Sequence, residues 1–257
     1  LWFATHSGGL SRFDGDAFRT FTVQDGLTSD LVATLLFDRR GRLWCGTAAG
    51  VCWYEDGVFG RLPFESWCHY PTSTFLLEDS RGRIWWGGGE NLGYVASGER
   101  RDLSAAYEAV CGRRPQMCWG MAEDTDGGVW VGTGALVRWD GTELHRFGEE
   151  AGLDGPLGYF AVARDADGVL WVGRADRLWR WGQGRFAPVP APLRGAEFIS
   201  VSGLRTDRSA LRSDMRPAKR TSGVAAATVR PHAPMNSPTR TDPGHIGFTL
   251  RHSSIDA

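Results

Sequence analysis

The sequence has no long hydrophobic run and few cysteines. No stretch of about 18 apolar residues occurs, so no segment has the length of a transmembrane helix. The five cysteines are an odd number and lack the Cys-x-x-Cys spacing of a metal site. We interpret them as small buried thiols, and a disulfide between Cys45 and Cys52, across one predicted hairpin, is the less favoured alternative.

The motifs of familiar catalytic centres are also missing. The sequence contains no Gly-x-Ser-x-Gly nucleophile motif and no His-Glu-x-x-His metal motif. One catalytic arrangement that the sequence still allows is an acid–base pair formed by a histidine, such as His6 or His69, and Glu90. We therefore expect a protein that is not an enzyme, with no catalytic residue, no metal and no cofactor.

Neither a strong charge nor a targeting segment is present. The net charge is −1, and the residues before Leu204 carry 20 basic and 26 acidic side chains, which does not favour nucleic acid as a partner. The sequence starts with Leu1 and has no signal peptide. We expect a fragment of a longer protein, with any membrane attachment or receptor dimerisation supplied by other segments.

The sequence is rich in tryptophan and glycine, with 12 and 35 residues. A polar turn followed by a short apolar strand occupies residues 38–47 and recurs at 79–88, 124–133 and 165–174, while residues 1–5 match its end. The spacings between the repeated tryptophans are 42, 41, 45 and 41 residues, and these tryptophans are Trp2, Trp44, Trp85, Trp130 and Trp171. A period near 40 built from short strands predicts the blades of a β-propeller.

One repeat divides cleanly into four predicted strands. They cover residues 31–37, 43–47, 51–55 and 58–62, with the first lying innermost and, being nearly all apolar, covered on both faces. In the first turn we expect an aspartate that caps its own backbone and a glycine with positive φ. These residues are Asp38, Asp79, Asp124, Asp165, Gly41, Gly82, Gly127 and Gly168. We expect the recurring indoles to pack one blade against the next.

The predicted fold class is therefore all-β, with about five four-stranded antiparallel blades over residues 1–207. A short helix over residues 102–110, with Asp102 as its N-cap, is predicted between two blades, because its apolar residues follow helical spacing. Residues 198–204 resemble a further innermost strand, which would close five blades by joining the chain ends. The alternative is an open arc.

The repeat stops near Ser209. Residues 208–257 are rich in Arg, Pro, Ser and Thr and poor in large apolar side chains, so we predict a disordered tail. Because the break is abrupt, we also hypothesise that a shift of reading frame produced the tail. The other two reading frames of the coding DNA test this hypothesis.

The repeat resembles the two-component regulator propeller repeat of bacterial sensor proteins. The resemblance lies in the Asp-x-x-Gly-x-Leu-Trp-Val-Gly pattern of residues 165–173, in residues 129–133, in Gly9-Leu10 with residues 12–15, and in residues 25–27. It implies seven-bladed propellers in a periplasmic sensor region that responds to carbohydrates, with a kinase or other output domain further along. The given sequence has five such units, and we expect any output domain to lie outside it.

In a propeller, the loops after the second strands and the segments between blades share one face, where ligands usually bind. The polar and aromatic residues predicted there suit an oligosaccharide or another small polar ligand, and they are His6, Asp25, Trp67, Tyr70, Glu90, Asn91, Trp119, Tyr159, Arg174 and Asp176. We therefore expect a ligand-binding sensor domain. The alternatives are a protein-binding scaffold and, less favoured, a propeller hydrolase or lyase.

Overall fold

The computed structural model describes residues 1–63, 74–154, 158–165, 167–174 and 177–189. These residues fall into two compact units, divided between Asp102 and Leu103. Several sequence predictions lie outside the described residues: the strand 198–204, the tail from residue 208, and the site residues Trp67, Tyr70 and Asp176.

The first unit contains three antiparallel sheets, numbered here in chain order. Sheet 1 has three strands, β1 (Trp2–Ala4), β2 (Leu10–Phe13) and β3 (Phe18–Phe21). Sheet 2 has four strands, β4 (Val32–Phe37), β5 (Leu43–Thr47), β6 (Gly50–Glu55) and β7 (Val58–Arg61). Sheet 3 consists of β8 (Phe75–Glu78), β9 (Ile84–Gly88), β10 (Asn91–Ala96) and β11 (Glu99–Asp102). Each strand pairs with its neighbour in sequence, as in a propeller blade.

The second unit begins with a helix and contains two further sheets. Helix α1 spans Ser104–Cys111. Sheet 4 consists of β12 (Gly120–Glu123), β13 (Val129–Gly132), β14 (Leu136–Trp139) and β15 (Leu144–Phe147). Sheet 5 consists of β16 (Ala161–Arg164), β17 (Leu170–Arg174), β18 (Arg177–Gly182) and β19 (Arg185–Pro188). The predicted strand order is therefore confirmed in all four complete sheets.

In sheets 2 to 5, the turn between the first two strands is tied to the second strand by its aspartate. Asp38 Oδ1 accepts hydrogen bonds from the backbone N–H groups of Arg40 and Arg42, both at 2.9 Å. Asp38 Oδ2 accepts a third from Trp44 Nε1 at 2.9 Å, and Gly41 has a φ of 84°. We call this carboxylate–indole pair the Asp–Trp latch. The other latches, each with an Nε1–Oδ2 distance of 2.8 Å, are Asp79–Trp85, Asp124–Trp130 and Asp165–Trp171.

The hydrophobic core lies between adjacent sheets of each unit. Trp2 packs with the core between sheets 1 and 2, and Trp44 belongs to the core between sheets 2 and 3. In the second unit, the ring centroid of Trp130 in sheet 4 lies 5.0 Å from that of Trp181 and 5.5 Å from that of Phe186, both in sheet 5. The predicted packing of indoles between blades is confirmed at these three positions.

Two predictions need correction. Asp102 is not the N-cap of the helix, because it is the last residue of β11, and Leu103 precedes α1 without a side-chain cap. Along the chain, the short helix does lie between the last strand of sheet 3 and the first strand of sheet 4, as predicted. Among the described residues sheet 1 has three strands, and the strand predicted to complete it, residues 198–204, lies outside them. Strand β4 is less covered than predicted: only Val32 is fully buried, because β4 is the edge strand of sheet 2.

The four described cysteines are free thiols. Cys45 and Cys52 are both fully buried and lie directly opposite each other on β5 and β6, as the hairpin predicted. A hydrogen bond from Cys45 lowers the pKa of Cys52 to about 7, and the same contact raises the pKa of Cys45. Cys118 is buried, whereas Cys111 is half-buried, so burial is confirmed for three of the four.

In the described part of the chain, no helix is long and apolar enough to cross a membrane.

We expect the latch of sheet 4 to make stability depend on pH. Burial alone raises the pKa of Asp124, but hydrogen bonds from Arg138 and Trp130 outweigh it, so the pKa lies below its usual 3.8. A carboxylate with a depressed pKa contributes stability above its unfolded pKa of about 4 and loses it as pH falls below that value. Asp124→Asn should therefore lower the free energy of unfolding more at pH 7 than at pH 3, as measured by urea denaturation. Val58→Ala is the control, since Val58 is 68% exposed and its side chain carries no charge, and it should cost the same at both pH values.

Candidate functional site

The candidate site lies at one edge of the two sheets of the second unit. In an antiparallel pair, the second strand ends beside the start of the first. Gly132 at the end of β13 pairs with Gly120 at the start of β12, and Gly173 pairs with Ala161 in the same way. Side chains just before β12 and β16 and at the end of β17 therefore meet at this edge.

Two aromatic side chains meet there, one from each sheet. The ring centroids of Trp119 and Tyr159 are 5.6 Å apart, with 48° between the ring planes. Trp119 is half-buried, and its backbone N–H donates to Gly132 O at 2.8 Å. Its Nε1 is buried without a hydrogen-bond partner in the described part of the chain. Tyr159 is 42% exposed. We call these two residues the aromatic pair.

A buried cation lies at the same edge. Arg174, the last residue of β17, is 7% exposed. Its guanidinium carbon is 5.1 Å from the ring centroid of Phe160 and 5.3 Å from that of Trp179, within the range of cation–π interactions. Its Nη2 donates to the carbonyl of Asp154. Contacts on two sides thus fix the position of the charge.

Asp154 completes this arrangement. Its Oδ2 accepts a hydrogen bond from Arg177 Nη1 at 2.5 Å, and this bond is the main reason why the pKa of Asp154 lies below its usual value. Its backbone carbonyl holds Arg174, so one residue positions two arginines. The edge therefore combines two aromatic rings, a fixed guanidinium and a carboxylate.

Helix α1 is fastened beside this edge. The Tyr107 hydroxyl lies 2.6 Å from Thr133 Oγ1, and Arg113 Nη2 donates to Gly134 O at 2.9 Å. Tyr107 is 1% exposed, and burial raises its pKa to about 12. The backbone N–H of Phe160 donates to Thr133 O, which joins the same loop to the segment that carries the aromatic pair. The insertion therefore supports the site.

The predicted site residues of the first unit have different surroundings. His6 is exposed in the turn between β1 and β2, and Glu90 is exposed with a φ of 65° in the turn between β9 and β10. Asp25 Oδ2 accepts the backbone N–H of Thr22 at 2.8 Å and so caps a one-turn 3-10 helix. Asn91 is 8% exposed, and its side-chain amide donates to Gly89 O. Asp25 and Asn91 therefore have structural partners.

The structure thus brings together three predicted residues, Trp119, Tyr159 and Arg174. The prediction did not include Asp154. The sequence gives little indication that Asp154 belongs to the site. An acidic residue in a loop is common, and the Arg174 side chain that its carbonyl binds lies 20 residues further along the chain. Arg174 contacts both Asp154 and Phe160. These contacts follow from the three-dimensional fold and leave no pattern in the sequence.

One cluster among the described residues has metal-ligand chemistry. Asp140, Glu143 and His145, on the hairpin between β14 and β15, place their ligand atoms within 4.8 Å of one another. Asp140 Oδ2 lies 2.7 Å from His145 Nε2, while Asp140 Oδ1 accepts the backbone N–H groups of Thr142 and Glu143. These bonds lower the pKa of Asp140, the bond from Glu143 most. The contacts account for the cluster as a stabilised hairpin turn.

Comparisons with known proteins support the fold class. No protein-family model and no curated protein matches the chain. Virginiamycin B lyase from Staphylococcus aureus is similar in structure, with a TM-score of 0.54 and 17% identity over 76% of this chain and 67% of that one. PorZ, a bacterial surface component of the type-IX secretion system of Porphyromonas gingivalis, has a TM-score of 0.52 and 15% identity over 75% of this chain and 33% of its own.

A third similar structure is the extracellular domain of a candidate hybrid two-component system from B. thetaiotaomicron. Its TM-score is 0.48, with 18% identity over 67% of this chain and 24% of that chain. This chain therefore spans a third or less of two of the three proteins. At such low identity, the two stronger similarities carry information on the fold alone. Together with the sheet topology, they confirm the predicted all-β propeller class.

Proposed function

We propose that the chain is a ligand-binding input domain of a bacterial two-component signalling receptor, located outside the cytoplasm, and that its ligand is a carbohydrate. The observation that carries the proposal is the aromatic pair beside Arg174 at one edge of sheets 4 and 5. Ligand sites typically combine aromatic walls with a few fixed polar groups. Planar rings suit the apolar face of a sugar, and a guanidinium suits its hydroxyl rim.

Two further features support this assignment. The unpartnered Nε1 of Trp119 is a donor available to a hydroxyl oxygen once the pair separates or tilts, and an unsatisfied buried donor is costly unless a ligand serves it. The repeat also resembles that of bacterial sensor propellers in its Asp turn and Leu-Trp strand. Binding without chemical conversion is part of the proposal.

The test is a thermal shift assay of the whole chain against a panel of oligosaccharides. We expect one member to raise the melting temperature by about 5–10 °C at 100 times its dissociation constant, because binding to the folded state adds about 2.7 kcal/mol. Trp119→Ala should remove this shift. Phe18→Ala is the matched control, since Phe18 is 65% exposed on sheet 1, and it should leave the shift unchanged.

Two results would count against the proposal. One is a panel in which no sugar shifts the melting temperature, or in which Trp119→Ala responds like the parent protein. The other is the disappearance of the active sugar during incubation, followed by chromatography, which would favour an enzyme. Co-purification of a stoichiometric protein partner would instead favour a scaffold.

A further inference from the structure

Sheet 2 contains a pair of buried thiols that the proposed carbohydrate site does not use. Cys45 on β5 and Cys52 on β6 lie directly opposite each other in the antiparallel strand pair, and both are 0% exposed. Directly opposed residues of antiparallel strands have Cα atoms about 4.5–5.5 Å apart, and a disulfide spans Cα distances of about 4.4–6.8 Å. The backbone of this hairpin therefore has the spacing that a disulfide requires.

The two side chains are also in contact. The Cys45 thiol donates a hydrogen bond to the Cys52 sulfur, and this bond is the main reason why the pKa of Cys52 falls to about 7. The same bond, together with burial, raises the pKa of Cys45. Directly opposed side chains lie on the same face of a sheet. The two sulfur atoms therefore lie side by side on one face of sheet 2.

The residues around the pair fix the register of the hairpin. Thr47 lies opposite Gly50 at the end of the hairpin, and its Oγ1 donates to Gly50 O at 2.8 Å. Thr28 Oγ1 lies 2.9 Å from Thr47 Oγ1, and Thr28 also donates to the Cys52 sulfur. A slip of one residue would break these bonds and turn one cysteine to the other face. The fold thus keeps Cys45 and Cys52 aligned.

The other two described cysteines have different surroundings. Cys118 is buried just before β12, where its thiol donates to Gly120 O at 3.7 Å, and burial raises its pKa to about 12. Cys111 is half-buried at the C-terminal end of α1. Within the described strand pairs, neither of them lies opposite a cysteine. The cross-strand arrangement therefore distinguishes Cys45 and Cys52.

We propose that Cys45 and Cys52 are a reversible dithiol–disulfide couple, with the free thiols described above as its reduced form. Its oxidant is a small-molecule disulfide such as oxidised glutathione. The couple goes beyond the proposed carbohydrate binding and does not rest on it, because both cysteines belong to the first unit and the carbohydrate site belongs to the second.

The exchange takes place in two balanced steps. The Cys52 thiolate attacks one sulfur of the oxidant, whose S–S bond breaks and releases one thiolate, so that Cys52 carries a mixed disulfide. Cys45 then loses its proton to water and attacks the Cys52 sulfur, which forms the Cys45–Cys52 bond and releases the second thiolate. The two cysteines lose two electrons, and the oxidant gains them. The lowered pKa of Cys52 suits it to the first attack.

The burial of both sulfur atoms determines when this exchange occurs. While sheet 2 is packed, an external disulfide reaches neither Cys45 nor Cys52, because access controls the rate of exchange. Exchange therefore proceeds while the chain folds or when the sheet opens locally. Once formed, the disulfide is protected from external reductants in the same way. We expect rapid oxidation during refolding and slow oxidation of the folded chain.

The test uses the unaltered whole chain, refolded from urea in a mixture of oxidised and reduced glutathione. Free thiols are blocked with iodoacetamide, and mass spectrometry follows digestion with trypsin. Cleavage after Arg42 and Arg61 places both cysteines in one peptide, residues 43–61, which contains no other cysteine. An internal disulfide leaves this peptide unblocked and two hydrogen atoms lighter than the dithiol form.

The matched control is the same chain kept unfolded in urea with the same glutathione mixture. We expect the ratio of disulfide to dithiol in peptide 43–61 to be higher in the refolded chain by about tenfold or more, because the fold aligns the two sulfur atoms. Unfolding the oxidised chain in dithiothreitol should return two blocked thiols. Cys111→Ser should give the same ratio as the parent chain.

Three results would overturn the proposal. The first is a refolded chain in which Cys45 and Cys52 are both blocked, and the second is an equal disulfide ratio in the refolded and unfolded chains. The third is a refolded chain in which either cysteine is joined to glutathione or to a different cysteine. The main comparison uses no variant, so it does not depend on any variant folding. The carbohydrate assay above tests the second unit and is read separately.

Discussion

Asp79→Ala is expected to lower the free energy of unfolding by about 3–5 kcal/mol. Asp79 is fully buried and accepts hydrogen bonds from the backbone N–H groups of Arg81 and Arg83, at 3.0 and 2.9 Å. It also accepts one from Trp85 Nε1 at 2.8 Å and one from Arg83 Nε at 2.5 Å. Removing the carboxylate leaves the guanidinium of Arg83, which is 8% exposed, without its counter-charge. The loss of a buried partner costs more than the loss of the bond itself.

Urea denaturation followed by tryptophan fluorescence measures this effect. Asp167→Ala is the control, because Asp167 lies in the equivalent turn of sheet 5, is exposed and contributes only its backbone N–H to the latch. Its cost should stay within about 0.5 kcal/mol. A cost below about 1 kcal/mol for Asp79→Ala would contradict the structural role assigned to the latch.

Trp130→Ala should cost about 3–5 kcal/mol, the range found for large buried aromatic side chains. Trp130 is fully buried, with Phe147 at 4.6 Å and Trp181 at 5.0 Å between ring centroids, so truncation leaves a cavity between sheets 4 and 5. Phe18→Ala removes a ring that is 65% exposed and should cost about 0.5 kcal/mol or less.

Trp130→Phe separates the two contributions of this side chain. Phenylalanine retains much of the apolar area but has no N–H group for Asp124. We expect it to lose clearly less stability than the alanine variant, as determined by the same urea experiment. If Trp130→Phe and Trp130→Ala were equally destabilised, packing between the sheets would not be the main contribution of the ring.

The fold could be predicted from the sequence because its repeat uses strongly directing residues. Asp38 and Gly41 favour a turn through local backbone interactions, and the apolar run after them has the length of a strand. The sequence alone therefore predicts both the turn and the strand. The latch itself was missed. A bond from Trp44 to Asp38 depends on how the turn folds the strand back, and residue spacing alone does not reveal that geometry.

The candidate site was predictable in position but not in its full chemistry. Trp119 and Tyr159 were identified because they are aromatic residues in the segments between predicted blades. Asp154 was not identified, because its role depends on hydrogen bonds to two arginines that lie 20 and 23 residues further along the chain. Asp25 was predicted as a ligand contact, whereas its carboxylate caps a backbone turn, and both uses require the same polar side chain on a loop. Residue type alone could not separate these uses.

The central feature of this structure is that each complete sheet is closed by its own aspartate and tryptophan. A ¹⁵N–¹H spectrum of protein labelled at the tryptophan indoles tests this claim directly, with the resonances assigned by single Trp→Phe variants. Asp38 accepts hydrogen bonds with both of its oxygens, and asparagine has only one, which is also a weaker acceptor. Asp38→Asn should therefore move the indole resonance of Trp44 upfield and leave those of Trp85, Trp130 and Trp171 in place. An unchanged Trp44 resonance, or an equal shift at all four indoles, would contradict it.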